Sequence, residues 1–223
     1  MELYIIRHGE SLSNIGGSDD FDCELSPKGK LQAEYLGKYL KDTKFDMIYS
    51  SHLCRAVQTA AAVAKYQDGS PEITIVPDFA ETGTPIEHEA KIDLHKTFWN
   101  NLRYIDTKIG REYGGDIVRI EEAIDKYVII PAYSNATVIE KNGNNEKRYN
   151  PQRILISAHG VANAVMMSCL ANFRFDINTN IVQHNTCINK FELFLYNGIQ
   201  KKRFLRYNDV PHLPDELRLA SQF

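Results

Sequence analysis

Arg7-His8-Gly9 near the start of the chain and His159-Gly160 much later each set an imidazole against a glycine at the end of an apolar run. A neutral imidazole can attack phosphorus and carry a phosphoryl group as a covalent intermediate. Guanidiniums are planar forks that match phosphate oxygens bidentately, and Arg7 and Arg55 are the two at hand. Glu81 supplies what these groups lack, a proton for a leaving alkoxide; Glu87 and Glu89 lie close to it and remain alternatives for that role. No metal-ligand spacing surrounds these residues, and arginines could provide the charge neutralisation that a metal would otherwise give. His88 and His95, about two helical turns apart, are read as a solvated face. Each fragment alone has a plainer reading: a strand running out into polar residues, an exposed helix arginine, a satisfied core histidine. Only convergence in space would set those readings aside.

The elements that must bring about this convergence can be read in order. Leu3 to Ile6 is a short β-branched and aromatic run, a buried strand that delivers Arg7 and His8 at its end. Ser11 to Glu24, rich in Gly, Asp, Ser and Asn, reads as a loop over that end. Ser26 and Pro27 mark the N-cap and first position of a helix running to about Lys41. Phe45 to Tyr49 is the second strand, ending in Ser50-Ser51. A helix follows from about Leu53 to Tyr66, with Arg55 in its first turn. Ile73 to Val76 is a third strand leading to Glu81, and Arg153 to Ala158 a fourth ending in His159-Gly160, followed by a helix to about Ala171. Cys187 to Tyr196 and Gln200 to Tyr207 form a hairpin around Asn197-Gly198.

From Pro85 to Tyr149 the strand–helix rhythm breaks. Helical patterns cover roughly Glu89 to Lys108 and Ile117 to Tyr133, and Asn142-Gly143 suits a turn between Thr137–Glu140 and Lys147–Tyr149. This stretch is expected to be a cap inserted over the site rather than part of the sheet. The whole, residues 1–223, reads as one α/β domain. It is a three-layer sandwich with a mostly parallel central sheet, helices on both faces, an antiparallel edge and a helical cap insertion at about 85–149. In open α/β sheets ligands bind beyond the carboxyl ends of the strands, where Arg7, His8, Arg55, Glu81 and His159 would all emerge.

Composition narrows the class. Hydrophobic content of 43% and charged content of 25% are ordinary for a globular protein, and a formal net charge of −3 gives no basic footprint for nucleic acid. No apolar run is long enough to span a bilayer, so no membrane partner is expected. Met1 leads straight into the first strand without a secretory pattern, and a cytoplasmic location is expected. Cys23, Cys54, Cys169 and Cys187 are scattered and read as small apolar residues rather than disulfide or zinc ligands.

Five stretches now fall in order. They are Arg7-His8-Gly9-Glu10-Ser11 with Asn14, Leu25-Ser26 with Gly29, Gln32 and Ala33, Tyr49-Ser50-Ser51 with Arg55-Ala56, Gln58, Thr59 and Ala60, Ser157-Ala158-His159-Gly160, and Asn208-Asp209 with His212-Leu213. In these the sequence resembles the histidine phosphatase superfamily, in its phosphoglycerate mutase-like branch. The resemblance implies that His8 is the nucleophile that becomes phosphohistidine. It implies further that Arg7, Arg55, His159 and Gly160 hold the phosphoryl group with a side-chain hydrogen bond from Asn14, and that Glu81 is the general acid and base. It implies neither a metal nor a cofactor, and a small phosphorylated metabolite as substrate.

Two departures stand out. Val161 follows the second His-Gly where a smaller residue is usual. After Glu81 the chain reads Thr82-Gly83-Thr84-Pro85, without the long basic and aromatic segment by which mutases retain a bisphosphorylated intermediate. That favours a phosphomonoester hydrolase over a mutase. A catalytically silent phosphate-binding module is the remaining alternative, and the acid, which binding alone does not need, speaks against it.

Overall fold

Strict alternation in the first strand, β1 (Glu2–Arg7), already sets the layering. Leu3 and Ile5 face one apolar cluster, Tyr4 and Ile6 the other, as the two-residue period of a strand requires. The computed structural model describes residues 1–69, 71–84, 102–104, 113–134, 137–141, 144–148, 152–173 and 181–218. After β1 come α1 (Pro27–Leu40), β2 (Met47–Ser50), α2 (Cys54–Ala64), β3 (Ile73–Ile75) and β4 (Leu102–Tyr104). Next is α3 (Tyr113–Ile124), which continues through a π-helical turn (Asp125–Ile129) into α4 (Ile130–Ser134). Then follow β5 (Thr137–Lys141), β6 (Asn144–Arg148), β7 (Arg153–Ala158), α5 (Gly160–Ala171), β8 (Ile188–Tyr196) and β9 (Ile199–Asp209).

The main sheet runs β4-β3-β2-β7-β1-β8-β9. The first five strands of that order are parallel; β8 is antiparallel to β1 and β9 to β8, forming the expected antiparallel edge. Arg7 stands level with Ala158 across the β1–β7 pairing, and Ser50 with Ser157 across β2–β7, so three strands end at one height. Helices α1 and α2 cover one face, where Leu36, Leu40, Val57 and Val63 meet Ile6, Ile48 and Leu155. The other face is covered by α3, α4 and α5, where Ile120, Ile124, Val128, Val165 and Met166 meet Leu3, Ile5 and Ile156. This is the expected three-layer α/β arrangement.

The middle third departs from expectation where it is described. Leu102–Tyr104, expected within a helix, pairs parallel with β3 and extends the sheet. The second expected helix is present as α3 and α4, but Ile120, Ile124 and Val128 are buried in the core and α3 packs on α5. These parts belong to the body of the domain rather than to an insertion separate from the sheet. Sequence periodicity reports an apolar face without saying what covers it. β5 and β6 pair antiparallel with Lys141 opposite Asn144; the turn expected at Asn142-Gly143 lies outside the described residues. Residues 85–101 and 105–112, with Glu87, His88, Glu89 and His95, also lie outside them.

Two turns show how local chemistry fixes the chain. Asn197 and Gly198 both have positive φ (51° and 76°), as a two-residue hairpin loop between strands requires. The strand they introduce, β9, ends the sheet and is exposed along most of its length, with Lys201, Lys202, Arg203 and Arg206 on it. At the start of α1 the Ser26 hydroxyl accepts from Gly29 N–H at 3.0 Å and donates to Glu10 Oε1 at 2.7 Å. This clasp presses the loop after β1 onto the helix so closely that a Cβ on Gly29 would lie 1.9 Å from the Glu10 carbonyl oxygen. Gly29→Ala would stabilise an unconstrained helix by roughly 0.5–1 kcal/mol. Here it should lower the unfolding free energy by about 1–3 kcal/mol, read as a lower denaturant midpoint at unchanged slope. A midpoint at or above the parent's would show that loop and helix are not pressed together.

Candidate active site

The level strand ends bring Arg7-His8, Ser50-Ser51 and His159 together, while the short 3-10 turn Pro77–Phe79 after β3 brings in Glu81. His8 is 3% exposed and its ring centroid lies 5.1 Å from that of His159. Nδ1 of His8 sits 2.6 Å from the Gly9 carbonyl oxygen. A carbonyl only accepts, so Nδ1 carries the proton and Nε2 keeps the lone pair. His8 is pushed well below its ordinary value of 6.5, first by burial and then by the charges of Arg55 and Arg7. His159 is pushed the same way, again by burial first and Arg55 next. Both imidazoles are therefore neutral, and His159 Nε2 is 2.9 Å from the Ser51 hydroxyl.

The guanidiniums are anchored by main chain rather than by acids. Arg7 donates through Nη1 to the Gln183 carbonyl, and its buried Nε has no hydrogen-bond partner. Arg55, in the first turn of α2, donates to the Phe21 carbonyl at 2.7 Å and lies over the Phe21 ring, 5.6 Å from its centroid. Burial lowers both arginines, while Glu81 acts against that shift on each. The Glu81 carboxylate is seated at the N-terminus of α5. Oε1 accepts from Ala162 N–H at 2.9 Å and Thr82 N–H at 3.0 Å, and Oε2 accepts from Val161 N–H at 3.2 Å. The departure at Val161 thus costs nothing here, because its backbone N–H is the part in use.

Asn14 is turned to its own loop, where its Oδ1 accepts from Ser11 N–H at 3.0 Å. A contact to an oxyanion would fall to its amide nitrogen. Gly160 opens α5 beside Arg7 and Glu81, and its carbonyl accepts from the Gln183 side chain at 2.8 Å.

Sequence reading assigned no role to the residues that hold this arrangement from behind. Gln183 bridges Gly160, Asn163 and Asn189 while its carbonyl takes Arg7. Asn185 donates to the His8 carbonyl at 3.0 Å, and Thr186 N–H donates to the Arg7 carbonyl at 3.1 Å. Thr59 accepts from Gly9 N–H at 3.0 Å, and His212 lies 3.0 Å from the Thr186 hydroxyl. Thr59 and His212 stood within quoted motifs; nothing local marks Gln183, whose partners are brought to it only by the sheet.

Among the described residues no group of His, Cys, Asp or Glu is placed to hold a metal ion, and no helix is long and apolar enough to cross a membrane. Cys23, Cys54 and Cys187 are buried free thiols and Cys169 is half-buried.

The class of fold and site, an α/β sandwich with two histidines and two arginines at its strand ends, has known relatives. The chain belongs to the histidine phosphatase superfamily (branch 1), whose family model matches residues 3–209. Phosphoglycerate mutase-like protein 4 of Arabidopsis thaliana is 27% identical over 233 residues, covering 100% of this chain and 91% of that one. The fructose-2,6-bisphosphatase TIGAR of Xenopus tropicalis is 37% identical over 79 residues, 34% of this chain and 29% of its own. In structure the chain resembles the phosphoserine phosphatase of Entamoeba histolytica, crystallised with phosphoserine, at a TM-score of 0.60 and 23% identity. That alignment covers 96% of this chain and 99% of the other.

The depressed histidines give a stability signature. Their folded-state affinity for protons lies below that of the unfolded chain, so the unfolded chain binds more protons below about pH 6.5. The stability they contribute is present above pH 6.5 and is lost as the pH falls from there toward the folded-state values. Unfolding free energy should therefore drop between pH 7 and pH 5, each histidine adding a slope of up to about 1.4 kcal/mol per pH unit. In His8→Asn the slope should be shallower; equal slopes in variant and parent would contradict a neutral buried His8.

Proposed function

We propose that this protein is a metal-independent phosphomonoester hydrolase working through phosphohistidine on His8. One observation carries the reading: His8 has its Nδ1 proton committed to Gly9 and its Nε2 lone pair free, beside a buried guanidinium with an unpartnered N–H. A phosphate dianion would supply that missing acceptor and the negative charge that Arg7 and Arg55 lack. In the first half-reaction Nε2 of His8 bonds to phosphorus as the ester P–O bond breaks. The leaving oxygen takes a proton from Glu81, which takes that proton up from solvent before the ester bond breaks and is a carboxylate again afterwards. Arg7, Arg55, Asn14 and the N–H at Gly160 would hold the equatorial oxygens, and His159 could donate from Nδ1 while the Ser51 hydroxyl serves Nε2. In the second half, water attacks phosphorus, Glu81 takes its proton, and His8 departs neutral with its tautomer unchanged. The relatives' names include both phosphatases and mutases, and the short run Thr82-Gly83-Thr84 after Glu81 favours hydrolysis. A cytoplasmic setting, a single-domain organisation and a small phosphorylated metabolite as substrate complete the reading.

Turnover of 4-nitrophenyl phosphate should persist in excess chelator and fall about 10³-fold or more in His8→Ala. Rapid quenching of the parent should yield a phosphoryl group on the peptide containing His8. Loss of activity in chelator, or unchanged turnover in His8→Ala, would overturn the mechanism. Isomerisation of 3-phosphoglycerate faster than its dephosphorylation would turn the assignment to a mutase.

A further inference from the structure

The turn that carries Glu81 is gripped from outside by a buried ion pair on α3. Arg119 is 3% exposed, and its Nη1 donates to the Asp78 carbonyl at 2.6 Å and the Pro77 carbonyl at 3.4 Å. Its Nη2 donates to the Ala80 carbonyl at 3.3 Å and to Asp116 Oδ1 at 2.9 Å. The other oxygen of Asp116 accepts from Gly83 N–H at 2.8 Å. Glu81 thus sits between Ala80, tied to Arg119, and Gly83, tied to Asp116.

A buried ion pair is a weak source of stability, because desolvation offsets most of the attraction. It is a strong source of geometry. A rigid guanidinium donating to three carbonyls of one turn accepts a single path of the chain, and a carboxylate with both oxygens engaged fixes where that path leaves. The N-terminus of α5 sets the direction of the Glu81 carboxylate, whereas α3 sets the position of its backbone. Displacing a catalytic group by about 1 Å can cost on the order of 10²-fold in rate.

We infer that Asp116 and Arg119 are positioning residues for proton transfer by Glu81. The inference rests on the reading that Glu81 protonates the leaving group. Both residues lie in the stretch expected to cap the site, so part of that stretch serves catalysis from beneath the general acid.

The test uses two esters of similar size. 4-Nitrophenyl phosphate releases a stable phenolate that needs little protonation, whereas benzyl phosphate releases an alkoxide that needs the acid. The variants are Arg119→Lys and Asp116→Asn, each confirmed folded by circular dichroism and thermal unfolding. Lys offers a single nitrogen in place of the fork, and Asn offers one acceptor oxygen where Asp116 uses two. Should Arg119→Lys fail to fold, Asp116→Asn carries the test. The expected result is a loss in kcat/KM of about 10- to 100-fold on benzyl phosphate and less than about threefold on the nitrophenyl ester. Glu81→Gln should show the same preference more strongly, and adding Asp116→Asn to it should cause no further loss on benzyl phosphate. Equal losses on both esters, with Glu81→Gln still discriminating, would overturn the positioning role alone. A Glu81→Gln variant that does not discriminate would overturn the acid assignment and the inference together.

Discussion

Arg7 and Arg55 carry like charges into a space from which water is largely removed, and that is the constraint around which the rest is arranged. Burial disfavours both charges, and the charge on Arg55 adds to the strain on Arg7. The protein answers with two main-chain carbonyls, at Gln183 and Phe21, and with the carboxylates of Glu81, which acts on both arginines, and Asp22, which acts on Arg55. The buried Nε of Arg7 still has no hydrogen-bond acceptor, which an incoming phosphate dianion would supply. Burial first, and the charge of Arg55 next, push both imidazoles toward the neutral form. Neutrality is what a nucleophilic imidazole needs.

Holding such a cluster requires backbone of low freedom, and the parallel sheet supplies it. Arg7 leaves β1, Arg55 opens the helix after β2, Glu81 follows β3 and His159 ends β7, so each group has its own rigid mount. Small polar residues then lock the mounts together: Thr59 to Gly9, Asn185 to His8, Thr186 to Arg7. The contacts of Asn185 and Thr186 join segments more than a hundred residues apart and exist because β8 returns antiparallel alongside β1, whereas Thr59 reaches Gly9 from α2.

What could be read in advance follows from the range of the interactions involved. Strand ends, the Ser26 cap and the Asn197-Gly198 turn depend on neighbours in sequence, and the elements they bound appeared where local chemistry put them. The grouping of His8, Arg55, Glu81 and His159 was legible because parallel strands of similar height must end together. Gln183 was not legible, because its partners Arg7, Gly160, Asn163 and Asn189 meet only through the sheet. Nor was the setting of α3: its apolar stripe predicts burial, yet the stripe says nothing of which surface buries it. β4 escaped because three residues are too few to show a period.

The last strand bears on how the sheet ends. A sheet edge is an open row of hydrogen-bonding groups, and a long exposed strand such as β9 offers a template on which another chain could grow. Lys201, Lys202, Arg203 and Arg206 line that template, with Arg203 paired to Glu192 at 2.9 Å and Arg206 to Asp209 at 3.1 Å. A second edge laid against it would have to accommodate these charged side chains and their partners. Charged side chains along an exposed edge are one way in which a sheet is kept from pairing with another, so the strand that closes this sheet also carries its guard.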